Sequence, residues 1–310
     1  MTAPEKRNMA ASVRTRLTKL ARATRKDFQR LLLRYIVERF LYRLERSGNA
    51  GDFLLKGAML FAVREDWPYR STRDLDLHGL GATSAVALGG TIRDLCTTQV
   101  QDDGVQFDAE SVKVEPIRGT HIEGGFRVVV KAAIEQARIR LQIDVGFGGI
   151  VPLPEWIEVP SLLGFPSARI QAYPNEAVIA EKTQAFLNLG ETNSRVKDYF
   201  DIWILSRTHS FDGNSLASSL AAVFRAQRTR VPADCPAGLT DDFAKSREAM
   251  WQGFLKRAEI SEEVPDLQNV MRQVRAFLLL PLEAVREEKP FRLKWPPGGP
   301  WQPKARDKNA

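Results

Sequence analysis

The chain reads as an α/β (α+β) protein, with a mixed sheet and flanking helices first and a helical lobe after it. Three observations predict this. Between residues 26 and 46 apolar side chains return every fourth position, at Phe28, Leu32, Ile36, Phe40 and Leu44, with Arg and Glu between them; that is the stripe of a packed helix. Asp74-Leu75-Asp76-Leu77-His78, and later Ile139, Leu141, Ile143 and Val145 with polar neighbours, alternate with the period of half-buried strands. From Asn175 the pattern is helical nearly to Val285, with a loop near 229–240. This order predicts two domains, 1–165 and 166–310.

The elements follow in sequence. The first 26 residues carry Lys6, Arg7, Arg14, Arg16, Lys19, Arg22, Arg25 and Lys26 against Glu5 alone, and are expected to form a solvated basic arm. Ser47 to Gly51 ends the first helix. Phe53-Leu54-Leu55 is a short strand, Lys56-Gly57-Ala58 a turn, and Met59 to Val63 an apolar helical turn. Residues 65–71 read as loop, 74–78 as strand, 83–98 as helix, and 110–117, 126–134 and 137–147 as strands. Pro152, Pro154, Pro160 and Pro166 mark a connecting segment. Pro290, Pro296, Pro297, Pro300 and Pro303 are expected to exclude regular structure from the last twenty residues.

Composition narrows the function classes. Lys plus Arg is 45 and Asp plus Glu is 38, a net charge of +7, which favours anionic partners (nucleic acid, nucleotides or an anionic membrane) without choosing among them. Two distant cysteines and three histidines without HxxxH spacing exclude a disulfide framework and make a thiolate or imidazole metal site improbable. No apolar run approaches the ~20 residues that span a bilayer, so no membrane association is expected.

The chemistry concentrates on carboxylates. Asp74 and Asp76 lie two apart on a strand and share one face while Leu75 and Leu77 enter the core. Two adjacent carboxylates repel; a hard divalent cation such as Mg²⁺ resolves this. Asp144 repeats the pattern on a later strand. Three carboxylates on one sheet face can hold metals that bridge nucleotide phosphates and activate an attacking hydroxyl. The alternative is a solvated strand edge, with Arg70 or Arg73 as the ion partner. Upstream, Gly57 at a strand-to-helix junction lets backbone N–H groups approach a phosphate.

Further along, Lys182 sits inside the apolar stripe Val178, Ile179, Ala185, Phe186, Leu189, where a charge is costly unless paired. It either snorkels from the core's edge or reaches a phosphate. Asp198 and Asp201 share a helix face with Leu205. That face is either solvated, with Arg195 and Lys197 as local ion partners, or directed to a cleft. Gly146-Phe147-Gly148-Gly149 reads as a strand-end turn, His78 as a polar neighbour, and Trp67 and Tyr69 as aromatic packing near the carboxylates.

Taken together, 54–60 (LLKGAML), 70–77 (RSTRDLDL), 141–148 (LQIDVGFG), 180–185 (AEKTQA) and 195–201 (RVKDYFD) resemble the AbiEii/AbiGii nucleotidyltransferase toxins, relatives of the mycobacterial MenT toxins in the DNA polymerase β-like superfamily. The resemblance implies a polymerase β-like nucleotidyltransferase sheet with a C-terminal helical lobe and the cleft between them. It implies a cytoplasmic toxin with a cognate antitoxin encoded nearby, transferring NMP from an NTP, with Mg²⁺, to an acceptor such as the tRNA 3′ end. Carried onto this chain, it assigns catalysis to Asp74, Asp76, Asp144, Lys182 and Asp198, with metal on Asp74, Asp76 and Asp144. Nucleotide contacts fall to Lys56, Gly57, Ala58, Arg70, Thr72, Lys182, Arg195 and Lys197, and Asp201 joins the RVKDYFD set. Ala58 stands where the superfamily has Gly or Ser, which keeps the turn and removes a hydroxyl ligand. A non-catalytic binding protein on the same scaffold, or a protein nucleotidyltransferase, is the alternative function.

Overall fold

In the computed structural model, residues 8–64, 74–81, 84–117, 125–148, 154–258, 260 and 263–304 are described. Two units separate by their internal contacts. One comprises Met1–Gly148 with Pro154–Tyr173; the other holds Pro174–Ala310. The first unit thus runs past the 165/166 boundary expected from the sequence.

Over its described residues, the basic N-terminal segment is a packed helix rather than a solvated arm. Residues Met9–Thr24 form helix α1, capped by the Asn8 side chain, which accepts from the Ala11 N–H at 3.1 Å. Val13 and Leu17, one turn apart, are fully buried, so one side of α1 is core and the cations occupy the others. Arg14 pairs with Glu135 at 2.9 Å, and Arg16 donates to the Leu163 carbonyl. The sequence hid this helix because only two apolar positions carry it.

Helix α2 (Phe28–Arg46) begins at Asp27, which accepts from the Arg30 N–H, and its i+4 stripe is buried as expected from Leu32 to Leu44, with Phe28 half-buried at the start. It is also buried on its polar side. Arg43 makes a two-pronged contact with Asp103 at 2.7 and 3.1 Å. Arg39 donates to Glu38 at 2.9 Å and to the Pro166 carbonyl at 2.8 Å. Glu38 accepts from the Leu162 N–H at 2.9 Å. Burial pushes the Glu38 carboxyl above its ordinary range, against the Leu162 hydrogen bond and the Arg39 charge.

The rest of the unit is β1 (Phe53–Lys56), α3 (Gly57–Arg64), β2 (Asp74–Gly79), α4 (Ala85–Thr97), β3 (Gln106–Pro116), β4 (Phe126–Ile134), β5 (Ala137–Phe147), β6 (Glu155–Val159) and β7 (Ala168–Ala172). The seven strands form one mixed sheet in the order β3-β4-β5-β2-β1-β7-β6. Pairs β2–β5 and β1–β7 are parallel and the others antiparallel. Helices α1, α2 and α4 pack on the face lined by Leu75, Leu77, Val128, Val130, Leu141, Ile143 and Val145, all essentially inaccessible. The connecting segment therefore contains two strands rather than none. Pro154, Pro160 and Pro166 bound β6 and β7 without interrupting either.

The second unit holds α5 (Asn175–Leu189), α6 (Val196–Thr208), β8 (Phe211–Asp212), α7 (Gly213–Ala226), α8 (Asp241–Ala258), α9 (Leu267–Arg286), β9 (Leu293–Trp295) and β10 (Gln302–Pro303). Strands β10-β9-β8 make a small sheet, so the proline-rich end is partly regular; Pro303 is tolerated because β10 is an edge. The tail is fastened by indoles. Trp295 donates to the Ser206 carbonyl at 2.7 Å, and Trp301 donates to the Phe277 carbonyl at 2.9 Å while stacking on that ring. Helix α6 is buried on every side from Val196 to Ser206 except at Lys197, so it carries no amphipathic signal.

Candidate active site

Strand register sets one row of charges across the first unit's sheet. Lys56 on β1 stands opposite Asp76 on β2, Asp76 beside Asp144 on β5, and Asp144 opposite Arg127 on β4. Directly paired residues point to the same face, so the row reads plus, minus, minus, plus. Asp74, two positions from Asp76, shares that face and pairs with Gln142. Leu75 and Leu77 fill the opposite face, as the alternation predicts. His78, two positions beyond Asp76, lies on the carboxylate face; it is buried and meets the Tyr173 hydroxyl at 3.1 Å, the polar neighbour expected of it.

Gly57 is pressed against Asp76. Its φ is +70°, in the left-handed region. A Cβ added there would lie 2.0 Å from Asp76 Oδ2 and 2.7 Å from Asp76 Cβ. Only glycine lets the first turn of α3 come this close to the carboxylate. Ala58, the next residue, is buried, and the Lys56 ammonium lies 5.5 Å from the centre of the Tyr173 ring. Arg70, Thr72, Arg73, Trp67 and Tyr69 fall outside the described residues.

Arg127 was not anticipated. Its Nε and Nη2 each donate to a different oxygen of Asp144 at 2.8 Å, and Gln142 reaches Oδ1 at 3.4 Å. The hydrogen bonding to Asp144, then the charges of Asp144, Asp74 and Asp76, hold the guanidinium above its ordinary value. Arg127 is thus the ion partner of Asp144 and lies within the field of Asp74 and Asp76. A signal for it was present: Ile134 pairs with Ala137 across a two-residue turn, and counting back along that hairpin puts Arg127 opposite Asp144.

The donor set suits Mg²⁺, which proteins bind through one or two carboxylates with substrate phosphates completing its shell. Asp74 and Asp76 supply two hard oxygen donors on one face, and the bare Cα of Gly57 leaves backbone beside them. Both oxygens of Asp144 are engaged by Arg127.

The second unit gathers the other sequence-nominated residues. Lys182 Nζ on α5 lies 2.5 Å from Asp198 Oδ1 and 2.8 Å from Asp201 Oδ2, both on α6. Arg195 Nε sits 2.7 Å from Asp198 Oδ2. Asp198 and Asp201 are inaccessible and the Lys182 side chain is only 12% exposed. The acidic face of α6 is therefore not solvated: its charges are paid for by a buried ammonium. Lys182 answers the cost of its own burial in the same way, and does not simply snorkel. Lys197 is exposed.

A family model described as the nucleotidyl transferase AbiEii toxin of a type IV toxin–antitoxin system matches residues 39–273, most of the chain. The chain belongs to the AbiEii family. It is accordingly a nucleotidyltransferase of a toxin–antitoxin family, and that membership implies an antitoxin partner. The matched range contains Lys56, Asp74, Asp76, Asp144, Lys182, Lys197, Asp198 and Asp201. No curated protein matches this AbiEii member by sequence. Among solved structures it is similar to a candidate nucleotidyltransferase from H. pylori, at 15% identity and a TM-score of 0.47, over 86% of this chain and 100% of that one. It is also similar to JHP933 from Helicobacter pylori (14% identity, TM-score 0.43, 81% and 90%). A third is an antigenic nucleotidyltransferase-like protein from Paracoccidioides brasiliensis (10%, 0.34, 76% and 91%). Among the described residues no helix is long and apolar enough to cross a membrane.

Proposed function

We propose that this AbiEii member transfers a nucleoside monophosphate from an NTP to the 3′ end of a tRNA, with Asp74 and Asp76 holding Mg²⁺. The observation that supports it is the contact of Gly57 with Asp76, which sets a helix start directly beside two same-face carboxylates. In the reaction the acceptor hydroxyl oxygen bonds to the α-phosphorus, the bond from that phosphorus to the bridging oxygen breaks, and pyrophosphate leaves. When bound, the cation supplies charge neutralisation for the phosphates.

This chain's residues do the remainder. Asp144, oriented by Arg127, positions the hydroxyl and takes its proton. Backbone N–H groups after Gly57, with Lys56, Arg70 and Thr72, cradle phosphate oxygens, where transfer depends mainly on positioning and electrostatics. Lys182, Arg195, Lys197 and Asp198 are assigned to nucleotide handling on their place in the AEKTQA and RVKDYFD segments.

The test offers radiolabelled NTPs with total RNA and, separately, total protein. Label in RNA with the wild type, and none with Asp76→Asn at unchanged melting temperature, is the expected result. A fully active Asp76→Asn protein removes the metal assignment, and label in protein alone replaces the acceptor.

A further inference from the structure

Beyond the carboxylates, the same sheet face continues as a tract of positive charge. We infer that the exposed face of β4 and β5 is a binding surface for the phosphate backbone of the nucleic-acid acceptor, an inference that rests on the transfer reading above. Register places the residues. Starting at Asp144 opposite Arg127, the next same-face pairs are Gln142 with Val129, Arg140 with Lys131, and Arg138 with Ala133. Lys113 on β3 joins them opposite Val129. Lys113, Arg127, Lys131, Arg138 and Arg140 are all exposed. The same face carries Asp108 opposite Lys131 and Glu115 opposite Arg127, leaving cations in excess.

One pairing sets this tract apart from an ordinary solvated strand surface. Arg140 stands directly opposite Lys131. Like charges face to face across a ladder repel; Asp108, on the other side of Lys131, offsets one of the two, and an anionic partner lying over the pair offsets the other. The tract is also linear. Same-face residues on β5 recur about every 6.6 Å, so Arg140 and Arg138 lie ~13 and ~20 Å along the strand from Asp144. A chain of phosphates running from the carboxylates over β5 meets cations in succession. A compact anion has no use for such length.

The test measures tRNA affinity against salt for full-length protein. One variant is Lys131→Gln/Arg138→Gln/Arg140→Gln. A matched control, Lys19→Gln/Arg22→Gln/Arg25→Gln, removes the same charge from the end of α1 and its C-cap. Neutralising phosphates releases counterions, at a slope of about 0.7–0.9 per contact in log affinity against log salt. The sheet variant is expected to lose about 2–3 units of slope, the α1 control none, and Arg138→Lys/Arg140→Lys none. A wild-type slope in the sheet variant overturns the inference, as does an equal loss in the control or a loss in the lysine variant. NTP binding, followed in parallel, is expected to match wild type in all three. Failure of the transfer reading shows separately, as wild-type protein that places no label in RNA whatever the slopes.

Discussion

Replacing Gly57 by alanine strikes the contact on which the site is built. Two costs can be worked from the structure. The first is backbone: at φ +70° an L-residue costs about 1–2 kcal/mol. The second is steric. The new Cβ would fall 2.0 Å from Oδ2, 2.6 Å from Cγ and 2.7 Å from Cβ of Asp76. Rotating the Asp76 side chain carries Oδ2 and Cγ away, but its Cβ is fixed to the strand, so the Lys56–Asp76 pairing must open. Overpacking of this kind costs about 1–3 kcal/mol. The sum is about 2–5 kcal/mol, a fall of roughly 4–20 °C in Tm for a domain of this class. A double-mutant cycle separates the parts. In an Asp76→Gly background the collision disappears and only the backbone cost, about 1–2 kcal/mol, survives. Thermal melts of the four proteins, with Mn²⁺ titrations of the Gly57→Ala single variant, make the assay. A Gly57→Ala loss below about 0.5 kcal/mol, or an equal loss in both backgrounds, would refute the reasoning.

Arg127→Gln should change stability by less than about 1 kcal/mol, because the pair is partly exposed. It should raise Mn²⁺ affinity by releasing the Asp144 oxygens and removing a nearby cation; an unchanged titration would detach Arg127 from the acidic group. Lys182→Met should lower stability by about 3–5 kcal/mol, since two buried carboxylates lose their ammonium; a wild-type melting temperature would contradict the pairing. Asp212 caps α7 by accepting from the Ser215 N–H at 3.0 Å and pairs with Lys304, so Asp212→Ala should cost about 1 kcal/mol at neutral pH. Burial works against its charge, yet the Lys304 and Ser215 hydrogen bonds outweigh this and hold its pKa below the ordinary 3.8. Its contribution is therefore complete above that value and lost as pH falls through the lower folded value. Urea melts of the two proteins should converge in strong acid, and a gap that widens there would reverse the assignment.

What was legible in the sequence followed from periodicity. The Phe28-to-Leu44 stripe, the Asp74–His78 strand and the alternation along β5 each bury one side, and a one-sided pattern is written in the residues. Helix α6 defeats this logic because it is buried all round, so the partners of Asp198 and Asp201 could not be read from its own faces. Helix α1 defeats it from the other direction, with two core residues among many cations. Strands β6 and β7 were hidden by prolines that stand at their ends, where they break nothing. The carboxylate row needed one thing more than pattern, namely register, and the β4–β5 turn supplies it only for Arg127 against Asp144; the pairing of Asp76 with Asp144 joins strands far apart in the chain.

The place of β1 in the sheet has a consequence for how the chain is made. This four-residue strand lies between β2 and β7, and its Leu54 pairs with Gln171. At ~5–20 residues per second of synthesis, β2 becomes available almost at once, while β7 emerges only after a delay on the order of ten seconds. Throughout that interval one side of β1 offers open main-chain groups beside apolar Leu54 and Leu55. A nascent chain in that state is a template for unwanted strand pairing. The enzyme is thus most exposed to aggregation, or to capture by a chaperone, after its aspartates have been made and before residue 172 has left the ribosome.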